Sequence, residues 1–220
     1  MRYLTPVLGL ACLLILAVPG VRSEEPSKSF FNGKDLDGWE GLKENWSVKD
    51  GAIVGSTYPQ GGKFNTFLCS KKKYKDFELS FQVKLTGKNW SGNSGVQIRS
   101  EVFDTKHLAV KGPQCDMGEG YWGSLYGEAF GGMMKAAAWD KVSKILKATD
   151  FNDYAIRCVG KHVTITLNGM TTVDQDFDKM PEDGIIAWQL HQGQPMEVIF
   201  KNIKFKDLSK FKDIDINQAK

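Results

Sequence analysis

The sequence predicts an all-β fold: an antiparallel two-sheet sandwich or jelly roll with one short helix. Three observations carry this expectation. Strand-like runs recur about every 8–12 residues, with Gly, Asn and Asp between them. The 220 residues contain 23 Gly against 7 Pro, with 13 Phe and 6 Trp, which suits a turn-rich sheet protein better than a helical bundle. Apolar residues at helical spacing stand out only between Met133 and Lys147, where Val142, Ile145 and Leu146 recur. With 41% hydrophobic residues, the chain can bury a large core as one domain without covalent staples.

Taken in order, the N-terminus reads as an export signal. Met1 and Arg2 precede an almost wholly apolar run from Val7 to Val18, and Val21-Arg22-Ser23 offers a cleavage site. The run is short for a bilayer span. The expected organisation is a signal peptide over 1–23, a polar linker over 24–29, one domain over 30–208 and a polar tail over 209–220. Cleavage after Ser23 leaves no membrane span and implies a periplasmic or extracellular protein. It also takes the formal charge from +3 to +1, which gives no basis for nucleic-acid binding. Lys71-Lys72-Lys73 reads as a solvated strand edge or turn that discourages edge pairing. Cys12 leaves with the leader. Cys69, Cys115 and Cys158 sit in strand-like runs without CxxC or Cys/His spacing, so three buried thiols are expected.

Asn32-Gly33 and Asp37-Gly38 mark tight turns, because both residue types tolerate positive φ. Trp46–Val48 and Ala52–Val54 form a hairpin about Lys49 to Gly51. Tyr58 to Asn65 is a Gly-rich loop, and Thr66–Ser70 a short strand. Phe77, Leu79, Phe81, Val83 and Leu85 alternate with Glu78, Ser80, Gln82 and Lys84, the signature of a half-buried strand. Tyr154–Val159 pairs with His162–Leu167 across Gly160-Lys161, and Asn168-Gly169 turns into Thr171–Val173. Ile185–Leu190 and Val198–Phe205 close the sheets.

The stretch from Asn93 to Glu128 carries the chemistry. Val96 and Ile98 alternate with Gln97, Arg99 and Glu101. Gln114 and Asp116 oppose Cys115 and Met117. Ser124, Tyr126 and Glu128 oppose Leu125. Successive strand side chains point to opposite faces. One face therefore packs a core, while the other gathers amides, carboxylates, a guanidinium and phenols, as a polar ligand requires. Tyr121, Trp122 and Tyr126 add flat amphipathic surface suited to sugar rings. Two of the carboxylates Glu101, Asp116 and Glu128 can meet across a groove as glycosidases arrange them. Alternatively Asp116, Glu128 and His191 can hold a divalent metal ion. His191 shares the parity of Gln189 at a strand end, suited to proton transfer or metal ligation. His107 and His162 read as surface residues. G-x-S-x-G, Walker, dinucleotide and H-E-x-x-H motifs are absent, which sets aside those site classes.

Five segments together resemble the 3-keto-disaccharide hydrolase family: NGKDLDGW, NSGVQIRSE, GPQCDMGEGYWGSLYGE, DFNDYAIRCVGKHVTITLNG and the closing WQLHQG…VIFKNIKFKDL. The resemblance runs from about Phe30 to Leu208. Trp188 and Gln192 depart from the family's usual pattern. The resemblance implies a concanavalin A-like jelly roll, export from a bacterium, and action on an oxidised di- or oligosaccharide or glycoside bearing a ketone at C3. Gln97, Arg99, Gln114, Asp116, Gln189 and His191 occupy the matching positions. Such a ketone acidifies the C2 proton, so a base can take it and expel the aglycone from C1, after which water adds to the enone. His191 or Asp116 is then expected as the base. Arg99, with Gln97 or Gln189, or a metal ion, is expected to stabilise the enolate, and Glu128 or Tyr126 to act as the acid. Gln114, Tyr121 and Trp122 complete the expected sugar contacts. The competing expectation is a non-catalytic carbohydrate-binding domain on the same fold, gripping sugar through Trp122 and Tyr126. Direct hydrolysis by two carboxylates finds no E-x-D-x-x-E strand motif here.

Overall fold

Alternation in the sequence becomes two faces in space. In β5 (Phe77–Gly87), Phe77, Leu79, Phe81 and Val83 are buried, while Glu78 is exposed. The computed structural model describes residues 30–87 and 92–209. The expected signal peptide, the linker and all of the tail after Ser209 lie outside the described residues.

Among the described residues there are fourteen strands and one helix. One seven-stranded sheet runs β1 (Trp39–Glu40), β4 (Thr66–Tyr74), β13 (Gly184–Leu190), β6 (Asn93–Asp104), β7 (Ala109–Gly118), β8 (Leu125–Glu128) and β9 (Gly132–Lys135). The other seven-stranded sheet runs β12 (Met170–Asp176), β11 (His162–Leu167), β10 (Asn152–Val159), β5, β14 (Met196–Asp207), β3 (Ala52–Ser56) and β2 (Trp46–Lys49). Neighbouring strands are antiparallel throughout. The two-sheet jelly roll is thus as the sequence predicts. Asn168 and Gly169 both take positive φ (47° and 84°), which lets the β11–β12 hairpin close in two residues. No helix among the described residues is long and apolar enough to cross a membrane.

Between the sheets, Trp188 of β13 meets Phe81 and Phe200 of the opposite sheet, with ring centroids 5.2 and 4.4 Å away. Burying each such side chain contributes about 1.5–3 kcal/mol. A smaller apolar cluster, Phe67, Cys69, Val110 and Ala187, lies on the other face of the first sheet. It does so because Leu68, Ile186 and Trp188 take the inner parity.

Two expectations are refined. The helix α1 (Trp139–Ile145) is shorter than the stretch that suggested it, because Gly132–Lys135 is spent on β9. Val142, fully buried, pins it to the core. The lysine run is not a turn: β4 continues through Lys71–Lys73 to Tyr74. β1 pairs with β4 at Cys69 and Ser70, and the Lys71 N–H still donates to the Gly38 carbonyl at 2.9 Å, so exposed Lys72 and Lys73 occupy the part of the strand beyond β1.

Candidate functional site

The register of three adjacent strands builds the site. Gln97 of β6 faces Gln114 of β7, and Gln114 faces Tyr126 of β8. One step along, Gly95 faces Asp116. The alternate residues Val96, Ile98, Cys115, Met117 and Leu125 are all in the core, so the polar row looks outward.

Gln114, Asp116, Tyr121, Tyr126, Glu128 and His191 line one cleft of about 290 Å³. The sequence had singled out each of these six. Asn65 and Asn93 complete the lining and had gone unremarked. Asn93 shares the parity of Gly95 and Gln97, so extending the alternation to the start of β6 finds it. Asn65 lies in the loop before β4 and carries no periodic signal. Its role is visible only in space: Nδ2 donates to Glu128 Oε1 at 3.1 Å, and Oδ1 accepts from the Gln192 N–H at 2.9 Å. One amide thereby ties the β13–β14 connection to the end of β8.

Asp116 is only 6% exposed. Burial pushes its carboxyl up to about 7, the hydrogen bond from Gln114 opposes this, and the charge of Glu128 adds to it. A group ordinarily ionised therefore holds a proton near neutrality. Gln114 Nε2 lies 2.6 Å from Asp116 Oδ1. His191, half-buried at the rim, has Nδ1 2.6 Å from the Gln192 carbonyl oxygen. A carbonyl only accepts, so Nδ1 carries a hydrogen, which leaves Nε2 as the ring nitrogen available for proton transfer. The cleft thus brings together a carboxyl that burial favours in its acid form and an imidazole. Tyr121, 46% exposed, and Tyr126, half-buried, supply phenols.

Other candidates go elsewhere. Arg99 does not reach the cleft. A register shift falls between Gln97 and Glu101, and Arg99 itself takes φ 46°, so parity slips by one residue. Ser100 then stands beside Gln97, with its Oγ 2.8 Å from the Gln97 side-chain amide. The Arg99 guanidinium turns inward. It donates to Asp76 Oδ1 and the Pro181 carbonyl, both at 2.9 Å, and to the Lys75 and Gly160 carbonyls. All its donor nitrogens serve the fold, which removes it as an enolate stabiliser. Gln97 and Gln189 are fully buried and back Gln114 rather than lining the cleft. Trp122 is 6% exposed and belongs to the core. It borders a separate cavity of about 750 Å³ with Leu85, Trp139 and Leu146, so it is no sugar platform for this cleft. Glu101 pairs with Lys111 at 2.8 Å on the surface. Asp116, Glu128 and His191 share the cleft, but among the described residues no three His, Cys, Asp or Glu side chains are grouped so as to hold a metal ion. The conditional metal set is therefore not assembled. Among the described residues, Cys69, Cys115 and Cys158 are free and buried as expected.

A sequence-family model described as a 3-keto-alpha-glucoside-1,2-lyase-like domain matches residues 26–206. Two candidate glycosyl hydrolases from Parabacteroides distasonis superpose on the chain with TM-scores of 0.60 and 0.58, at 22% and 23% identity. The matches cover 81% and 80% of this chain, and 92% and 96% of theirs. The carbohydrate-binding module CBM66 of Bacillus subtilis superposes with a TM-score of 0.55 at 14% identity, over 77% of this chain and 95% of that one. At these identities the likeness is one of fold. No curated protein matches the chain.

Proposed function

The chain belongs to the 3-keto-disaccharide hydrolase family, and on that premise we propose that it is an exported enzyme cleaving 3-keto-glycosides by β-elimination followed by hydration. Membership makes it a carbohydrate-active, glycosyl hydrolase-like protein. The keto substrate, the route and export are our reading. One arrangement carries it: Asp116, whose carboxyl burial pushes up to about 7, shares a small cleft with His191.

His191 Nε2 takes the C2 proton. The electron pair moves into the ring as an enolate, whose C3 oxygen accepts hydrogen bonds from the Tyr126 phenol and the Asn93 amide. The pair then returns, C1–O breaks, and the departing oxygen takes the proton of Asp116. The aglycone leaves, together with a 3-keto sugar unsaturated between C1 and C2. In the return half, Asp116 draws a proton from water as the water oxygen bonds to C1. His191, whose N–H has exchanged with solvent in the meantime, gives a proton to C2, restoring both groups. Tyr121 offers its exposed ring to the sugar face.

The test incubates the protein with a 3-keto-glucoside and with the unoxidised parent, in deuterated water. Cleavage of the keto sugar alone, with deuterium at C2 of the product, is expected. Cleavage of both sugars would replace this route with direct hydrolysis. The fold likeness to CBM66 favours a second reading, sugar binding without chemistry; binding of sugar with cleavage of neither selects it. His191→Ala is expected to lower kcat by roughly 10²–10⁴-fold while leaving the melting temperature nearly unchanged. Full turnover in that variant removes His191 from the chemistry.

A further inference from the structure

Behind Asp116 lies a chain of side-chain amides whose directions are linked. Ser100, Gln97, Gln114 and Gln189 are each no more than 3% exposed. Gln97 and Gln114 touch terminal atom to terminal atom at 3.0 Å, Gln114 and Gln189 at 3.2 Å, and Gln114 and Asp116 at 2.6 Å. Gly95 makes room for the middle member: a Cβ there would stand 2.6 Å from the Gln114 Cγ and Cδ.

Two directions can be drawn for this chain, and they are not equal. In the first, Ser100 donates to Gln97, Gln97 donates to Gln114, and Gln114 Nε2 donates to both Asp116 and Gln189. That direction suits an ionised Asp116. It also leaves Gln189 Nε2, a fully buried donor, without a partner among the described residues, and it sets the Gln97 amide oxygen against the Pro113 and Gly112 carbonyl oxygens. In the second, the Gln97 amide is turned. Its nitrogen then donates to the Pro113 carbonyl at 3.1 Å, the Gly112 carbonyl at 3.2 Å and Ser100 Oγ at 2.8 Å. Its oxygen now faces Gln114 at 3.0 Å, so Gln114 must turn as well and present its nitrogen. The Gln114 oxygen then points at Asp116 and at Gln189. Gln189 turns and donates its nitrogen, which gives the orphaned donor a partner. Asp116 must supply a hydrogen of its own, and 2.6 Å is a usual O–H···O length but short for N–H···O. An unpaired buried N–H is the costlier defect, and the second direction removes it.

We propose that Gln97, Gln114 and Gln189 reverse direction together as Asp116 gains or loses its proton, and that Gln97 and Gln189 are positioning residues which hold Asp116 in its acid form through Gln114. The catalytic meaning rests on the reading of Asp116 as the acid; the coupling itself does not. With the turned chain, the Gln114 oxygen waits for a proton and favours the carboxylic acid. When Asp116 gives its proton to the leaving oxygen, Gln114 swings its nitrogen to the new carboxylate, and Gln97 and Gln189 follow. The other ionisable groups around Asp116 are Glu128 and Tyr126 on β8, Tyr121 in the β7–β8 turn and His191 after β13. From the second sheet, Tyr154 on β10 donates to the Asp116 main-chain carbonyl at 3.3 Å. None of these touches Gln97.

The coupling is tested on isotope-labelled protein without sugar, by following the Asp116 carboxyl carbon and the amide signals of Gln97, Gln114 and Gln189 by NMR as pH is raised. In the wild type the three amides are expected to titrate with the Asp116 midpoint. The Gln97 NH₂ should lie near Gly112 and Pro113 on the acid side and face Gln114 on the alkaline side. In Gln97→Met, which releases Gln114 to donate to the carboxylate, the midpoint is expected to fall by about one pH unit, a tenfold change in acid dissociation. The alkaline limb of kcat/KM should move with it. Amide signals that stay still through the Asp116 midpoint overturn the proposal in the wild type alone, whether or not the variant folds. An unmoved midpoint in folded Gln97→Met overturns it equally. Moving amides in a protein that cleaves no keto sugar uphold the coupling and sink only the enzymatic reading.

Discussion

Asp116→Asn is expected to yield a protein that is more stable than the wild type at pH 8 and nearly inert as a catalyst. Both halves follow from one fact: burial raises the carboxyl from its ordinary 3.8 to about 7. A carboxyl whose folded value lies above its unfolded value binds more protons folded than unfolded throughout that window. Stability therefore falls as pH rises from about 4 to about 7, and above 7 the folded protein carries the full cost of a buried charge. At ~1.4 kcal/mol per pH unit, the asparagine variant gains up to roughly 4 kcal/mol at pH 8 and nothing near pH 4. Asparagine can still donate to or accept from Gln114, so the cleft keeps its shape. Turnover of a 3-keto-glycoside should fall by about 10²–10⁴-fold with the proton donor gone. Urea denaturation at both pH values, beside kinetics, checks the pair. Equal stability at pH 8 would mean that Asp116 is not buried as a charge, and retained turnover would remove it from the chemistry.

Arg99→Met is expected to be the most destabilising single change in the chain for its size. Arg99 and Asp76 pair at 2.9 Å with side chains 1% and 0% exposed. Removing one member of a buried pair typically costs about 3–5 kcal/mol, because the other charge stays behind in a dry interior. Here the Lys75, Gly160 and Pro181 carbonyls lose their donor too. Typical domains have only about 5–15 kcal/mol in all, so a lowered melting temperature and partial unfolding at 37 °C should follow. Adding Asp76→Asn to Arg99→Met should recover part of the loss, as a double-mutant cycle can measure. A loss below about 1 kcal/mol would contradict the structural role. A normal melting temperature with abolished turnover would return Arg99 to the site.

Arg99 also marks where reading the sequence stops being sufficient. Strict alternation puts Gln97, Arg99 and Glu101 on one face, and that rule points to five of the six cleft residues, while Tyr121 stands out only as an aromatic. The same rule fails across a bulge, since a bulge is an inserted residue that composition does not announce. Trp122 illustrates a second limit. Its neighbours Tyr121 and Tyr126 are in the cleft, but a residue inside the tight turn from Gly118 to Ser124 has no strand parity to read. Gln97 and Gln189 lie on the predicted face, yet Gln114 covers them, and depth below a surface has no periodicity. The sheets themselves were legible almost throughout. β4, however, runs past Ser70 to Tyr74, because pairing with β13 at Lys73 and Tyr74 holds a lysine-rich segment extended against its propensity.

The three cysteines among the described residues have a practical corollary. Each is sealed in a different strand, and burial raises the thiols of Cys69 and Cys158 to about 12 and about 11, and that of Cys115 well above its ordinary value. Thiolate, the reactive form, is therefore scarce in the native state. A maleimide or disulfide reagent should leave these three thiols unmodified in the folded domain and mark them as it opens. Labelling kinetics then become a built-in clock for unfolding, one that needs no engineered probe and can rank every variant above on a single scale.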